Sequence, residues 1–284
     1  MAIYLLDKNI VEDIKKSIKG LPTPGVALAR SIDKKNNQAL TLLAALEGST
    51  QSAPSASELM DGLVSDSQAV GMFYKLAKTD SEYLLNTSAS TAVTLSPHVR
   101  EKTQELIPLT MELQSLLSRQ FNWIDARVIL KKIDEIALTN NFSLSHPLIT
   151  CAVACLYQSR SARGVLKPAA HPNERDAYNA AADIRLIIET AYVKNMFIKN
   201  GERSYIKLLS GDKDLNELSQ ILSTTVSSTV ISEEIDQEII SFNSAFSRKL
   251  LPSLNMQPKE MERILSYLKE SRDGPESIIS TSTA

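Results

Sequence analysis

The chain has 284 residues, a formal charge of −2, and 43% hydrophobic against 23% charged residues, the balance of a soluble globular protein with a sizeable core. No run of about 18 apolar residues offers a membrane span, and the N-terminus shows neither a basic leader nor a small-residue cleavage site, so a cytoplasmic protein is expected. Nine glycines and 5% aromatics favour helices over an all-β design, and the near-neutral charge leaves nucleic acid only a local patch to bind.

Ala2 to Leu6 is a short apolar run of strand formers, closed by Asp7. From Asn9 to Lys19 the spacing turns helical, and Gly20 with Pro22 and Pro24 ends that helix. Residues 25–31 read as a short strand or a helical turn. From Asp33, the pattern Ala39, Leu42, Leu43, Leu46 has helical spacing and carries Glu47 near its end. Residues 48–57 form a small-residue linker.

Helical periodicity dominates from 58 to 167, with apolar stripes over 66–79, 98–119, 124–139 and 146–158, a polar connector from Asn86 to Ser96, and Pro97, Pro147 and Pro168 as punctuation. Phe121 and Trp123 are expected in the core of this block. Cys151 and Cys155, four apart on an apolar helix, read as buried thiols rather than a bridge, and His98 and His146 as helix-entry residues. His98, His146 and His171 are too scattered in sequence to suggest a zinc site. Asn173 to Ile198 reads as one long helix closed by Asn200-Gly201. Tyr205 to Leu209 is a second strand-like run, followed by Ser210-Gly211-Asp212-Lys213-Asp214 and a helix. Thr225 to Ser232 reads as a third strand, 234–250 and 258–270 as helices, and the last dozen residues as a loose tail. This order predicts an open, mostly parallel sheet with helices on both faces and a large helical insertion. The expected divisions are 1–57 and 168–271 for the two parts of the α/β core, 58–167 for the insertion and 272–284 for the tail.

Two segments share one grammar: apolar strand, acid, helix. They end in Asp7 and in Asp212. A parallel sheet puts both at its carboxyl edge, where such sheets bind ligands. Asp7 and Asp212 are equally well suited to cap the helices that follow them. Asp183 interrupts a run of alanines and isoleucines, and a carboxylate there is costly to bury unless paired or metal-bound. Pairing with Arg185 would satisfy it as well. Asp176 lies on the same face, as its rival. Arg160, Arg163, Lys167 and Arg175 form a basic cluster, either a solvated loop or a contact for a phosphate backbone.

Leu5-Leu6-Asp7-Lys8-Asn9, Glu47, Asp183 and Ser210-Gly211-Asp212-Lys213-Asp214, in this order and context, resemble the PIN-domain ribonucleases over residues 1–48 and 173–232. The resemblance implies a three-layer α/β/α fold. It implies hydrolysis of RNA phosphodiester bonds, with single-stranded DNA as a further substrate. It implies Mg²⁺ or Mn²⁺ on Asp7, Glu47, Asp183 and Asp212, Glu47 being a ligand or a water-orienting base. Asn9, Ser210, Asp214 and Asp176 would support those acids, and the basic cluster would bring RNA to them. A toxin or phage-defence role follows by analogy with family members. The helical block would serve a homo-oligomer or a protein partner. The alternatives are a catalytically silent interaction protein and a regulator that binds nucleic acid without cutting it.

Overall fold

The computed structural model describes residues 1–47, 55–201, 205–232, 237–270 and 280–281. They divide into two compact units, Met1–Leu106 with Met196–Asn216, and Ile107–Asn195 with Glu217–Ala284. No helix among the described residues is long and apolar enough to cross a membrane.

The first unit is built on a four-stranded parallel sheet in the order β3-β2-β1-β4: β1 (Ala2–Leu6), β2 (Asn37–Leu40), β3 (Lys78–Thr79) and β4 (Tyr205–Leu209). Both faces of β1 are used. Leu6 packs into a cluster with Ile10, Val11 and Ile14 of α1 (Lys8–Ile18), Ala29 of α2 (Val26–Ser31), Ala44 of α3 (Leu42–Glu47), and Ala69 and Val70 of α4 (Ala56–Phe73). Ile3 and Leu5, pointing the other way, are buried as well. Ser55 starts α4 with a capping box, its hydroxyl accepting from the Glu58 N–H while the Glu58 carboxylate accepts from the Ser55 N–H.

The strand at 2–6, the helix after Asp7 and the strand at 205–209 stand as read. The helix expected from Asp33 to Glu47 does not. Residues 37–40 form β2, and the helix begins only at Leu42, because the Asp80 carboxylate accepts the Thr41 N–H (2.9 Å) and the Leu42 N–H (3.3 Å) and caps α3 from another strand. The 66–79 stripe likewise ends at Phe73, and Lys78–Thr79 joins the sheet. The Asp33 carboxylate shapes that turn by accepting from the N–H groups of Lys75, Leu76 and Ala77. The polar stretch 86–96 is no connector but lies inside α5 (Ser81–Leu116), as does Pro97. Its hydroxyls bond back to their own helix, Thr87 to the Tyr83 carbonyl and Thr94 to that of Ser90. α4 packs on α1 and α3 as part of the first unit. The linker 48–57 and the tail 272–284 lie outside the described residues, apart from 55–57 and 280–281.

In the second unit, every residue of α7 (Pro147–Leu156) is buried, with α6 (Trp123–Thr139) and α8 (Arg160–Leu166) against it. Cys151 and Cys155 are free, buried thiols there. Phe121 is buried, but Trp123 is only half-buried, with the Arg127 guanidinium 4.9 Å over its ring. α9 (Glu174–Lys199) is the long helix expected. β5 (Ser223–Ser232) does not join the parallel sheet. It pairs antiparallel with β6 (Gln237–Ala245), where a helix was expected, and β6 pairs with the two-residue β7 (Ser280–Thr281). A β-branched run such as β5 needs a ladder partner, and β6 supplies it. α10 (Lys213–Ile221) straddles the two units, and α11 (Pro258–Glu270) ends the described helices.

His146 enters α7 as its N-cap, its Nδ1 accepting the Leu148 N–H at 3.3 Å and its ring 4.5 Å from that of Phe142. Burial holds its pKa down at about 3. The unfolded chain takes up a proton near the ordinary value of 6.5, whereas the folded one stays neutral until about 3. Stability is therefore lost as the pH falls below that ordinary value, by about 1.4 kcal/mol per unit. His146→Asn keeps a capping oxygen and removes the titration. Urea melts at pH ~7 and ~5 are expected to show about 2 kcal/mol less acid destabilisation in the variant. Equal losses in both proteins would show that His146 is protonated in the fold.

Candidate active site

The first unit places Asp7 and the Ser210-Gly211-Asp212 segment side by side. β1 and β4 run parallel with Leu6 opposite Leu209, so both chains leave the sheet at one edge, and the Asp7 N–H donates to the Leu209 carbonyl at 3.1 Å. In the order β3-β2-β1-β4, the direction of winding reverses between β1 and β4. A crevice outside the carboxyl ends of strands at such a reversal is the general ligand site of open parallel sheets.

Asp7 is 1% exposed. Its Oδ1 accepts the Ile10 N–H at 2.8 Å, capping α1, and its Oδ2 accepts the Ser210 hydroxyl. The Ser210 oxygen in turn accepts the Asp212 N–H at 2.9 Å. Asp212 is half-buried and caps α10, its Oδ1 accepting from Asp214 N–H (2.7 Å) and Leu215 N–H (3.1 Å). Two hydrogen bonds through one hydroxyl thus join the Asp7 carboxylate to the Asp212 backbone. Asn216 fixes Ser210 from behind, accepting its N–H at 3.0 Å and donating to its carbonyl. Gly211 lies close over Asn9, where a Cβ would stand 3.5 Å from that of Asn9. Burial raises the pKa of Asp7. The Ser210 hydroxyl, the Ile10 N–H, the Asn9 side chain and the Gly211 N–H pull it back down.

Glu47 closes α3, and its side chain lies outside the described residues. Asp183 belongs to the second unit, on α9, where Lys167 Nζ stands 3.4 Å from its Oδ2. Asp176 is in the first turn of the same helix, bound by Asn173. In the basic cluster, Arg163 donates to the Leu117 and Ser118 carbonyls, Lys167 pairs with Asp183, and Arg160 and Arg175 are exposed. Among the described residues no three His, Cys, Asp or Glu side chains converge as a metal group.

Two further acids of this unit take structural roles that the sequence analysis does not single out. Asp80 stands at the carboxyl edge of β3, and burial raises its pKa against the Thr41 and Leu42 bonds. Its strand is two residues long, too short to carry the grammar seen at Asp7. Asp66 of α4 is fully buried, with Lys8 Nζ at 2.9 Å from its Oδ2 and Lys15 Nζ on its Oδ1. Burial would lower the pKa of Lys15, but Asp66 and Glu12 outweigh it and raise it. The signal for Asp66 was available: it interrupts the stripe Leu59, Leu63, Val70, as Asp183 interrupts its own.

A hard divalent cation such as Mg²⁺ is held in nucleotide- and phosphate-handling sites by one or two carboxylates, its own waters and substrate oxygens. Asp7 and Asp212 supply that donor type from adjacent strand ends, and Asp212 Oδ1 alone of its two oxygens is spent on the α10 cap. The donor type suits such an ion, although both Asp7 oxygens already accept hydrogen bonds. Compared with family models, with curated proteins and with solved structures, the chain matches none of them.

Proposed function

We propose that this chain is a metal-dependent nuclease of PIN-like type that hydrolyses RNA phosphodiester bonds, with Asp7 and Asp212 as the carboxylates that hold Mg²⁺ or Mn²⁺. One observation carries the reading: the Ser210 hydroxyl ties Asp7 to the Asp212 loop at the point where the sheet reverses. The resemblance of the same residues to the PIN family supports it. The bound ion would polarise the scissile phosphate and make a coordinated water a stronger nucleophile near neutral pH. Ser210 and Asn216 then act as positioning residues, holding Asp7 and the 210–212 backbone in one arrangement. Asp183 and Glu47 remain proposed further acids, and the three-layer fold a proposed extension of the parallel sheet.

A second reading has its own observation. Asp7 and Asp212 both cap helices, and that alone accounts for an acid at each position. The core would then be silent, and the chain a nucleic-acid-binding or interaction protein.

The test is cleavage of single-stranded RNA by the full chain with Mn²⁺, with Mg²⁺ and with a chelator, together with Mn²⁺ binding by calorimetry. The nuclease reading expects cleavage that the chelator abolishes, and weaker Mn²⁺ binding by Asp212→Asn. Cleavage unaffected by the chelator overturns it. RNA binding without cleavage favours the silent reading.

A further inference from the structure

Helix α6 carries an exposed stripe opposite its buried face. Ala126, Ile129, Leu130, Ile133 and Ala137 are buried. On the far side, Ile124, Val128 and Leu138 are 58%, 60% and 56% exposed, with exposed Lys131 and Glu135 between them. The steps from 124 to 128, 131, 135 and 138 alternate four and three, the spacing of a coiled-coil seam, with Lys131 and Glu135 at two of the five positions. Large apolar side chains aligned this way on a solvent face call for a partner.

We infer that this stripe is an interface between two copies of the chain, packed as antiparallel α6 helices about a two-fold axis. The self-complementarity of the stripe identifies the occupant. An isologous contact requires that if residue i meets j, then j meets i. An antiparallel pair centred at the level of Ile133 sets Val128 against Leu138 and Lys131 against Glu135 of the second copy. Symmetry repeats both contacts with the roles exchanged. Val128 and Leu138 meet each other twice across the axis and each charge meets its opposite, while Ile124 lies beyond the paired stretch because α6 ends at Thr139. A parallel pair in register would set Lys131 against Lys131 and Glu135 against Glu135, with like charges facing each other. Beside the stripe, between α6 and α11, lies a cavity of about 480 Å³ whose walls include Val128, Lys131, Leu130 and Ile264. It offers the facing helix a recess whose lining mixes apolar side chains with charged ones, Arg127, Lys132 and Arg263 among them.

Sedimentation velocity of the full chain over a concentration series tests this. Wild type is expected to shift from monomer to dimer as concentration rises. Lys131→Glu and Glu135→Lys each set like charges opposite one another twice per dimer and are expected to weaken association about tenfold or more. Mixing the two variants restores both opposite-charge pairs, so the mixture is expected to associate as wild type does. These are exposed positions, and circular dichroism confirms that each variant folds. Three results would each overturn the interface: a wild-type chain that stays monomeric, single variants that dimerise unchanged, or a mixture that fails to recover. A larger or heterogeneous assembly would overturn the two-fold arrangement too.

Discussion

On the proposed nuclease reading, Asp7→Asn is expected to lose RNA cleavage by on the order of a thousandfold while the protein keeps its fold. The substitution separates the two roles of this side chain. Asn caps a helix about as well as Asp, so an amide oxygen at position 7 still accepts the Ile10 N–H that the carboxylate accepts at 2.8 Å. The Ser210 hydroxyl keeps a polar neighbour, because it turns from donor to the Asp7 carboxylate into acceptor from the amide. Only the charge is removed. The proposed cation, which would contribute several kcal/mol to stabilising charge in the transition state, would lose a ligand, and each 1.36 kcal/mol is about a factor of ten in rate. Asp7→Ala behaves differently. It removes the cap at about 0.5–2 kcal/mol and strands the buried Ser210 hydroxyl, so its melting point falls along with its activity. The pair of variants is read by initial cleavage rates with Mn²⁺ and by urea melts. A fully active Asp7→Asn would reduce Asp7 to a helix cap and remove the metal-site reading.

What the sequence disclosed follows from how far each signal travels along the chain. β1 and β4 were legible because each is a five-residue apolar run that ends in its own helix cap, a pattern complete within about ten residues. Their meeting was legible only as an expectation from the parallel-sheet rule, since Ser210 and Asp7 are 203 residues apart. β2 was hidden because only Ala39 of its four residues is buried, so no alternation shows, and because its end is set by Asp80, 39 residues away from Thr41. β6 was misread as a helix because nothing local distinguishes a ladder partner from an amphipathic turn. The second unit shows the same limit: an acid amid apolar residues signals a partner without naming it, and for Asp183 that partner includes Lys167.

Asp66→Ala is expected to destabilise the first unit by about 3–5 kcal/mol, the cost of breaking a buried ion pair from one side. Asp66 has no exposed side-chain surface, and Lys8 and Lys15 keep only 12% and 19% of theirs. Removing the carboxylate leaves two ammonium groups close together against the α1–α4 contact, with Glu12 still 3.5 Å from Lys8 and 3.1 Å from Lys15. Replacing the whole group is a different matter. Asp66→Leu with Lys8→Met and Lys15→Met exchanges three desolvated charges for apolar contacts, and such exchanges are often neutral or stabilising by about 1–4 kcal/mol. Urea melts of the single and triple variants are expected to fall on opposite sides of a small change. A single variant costing under about 1 kcal/mol would mean that the lysines swing out to water and that the network is a surface one. The consequence reaches the candidate site, because Lys8 immediately follows Asp7 and both lysines sit on the helix that Asp7 caps. If the network holds α1 against α4, Asp66→Ala lowers cleavage through the placement of Asp7, and the triple variant, with α1 packed again, recovers it.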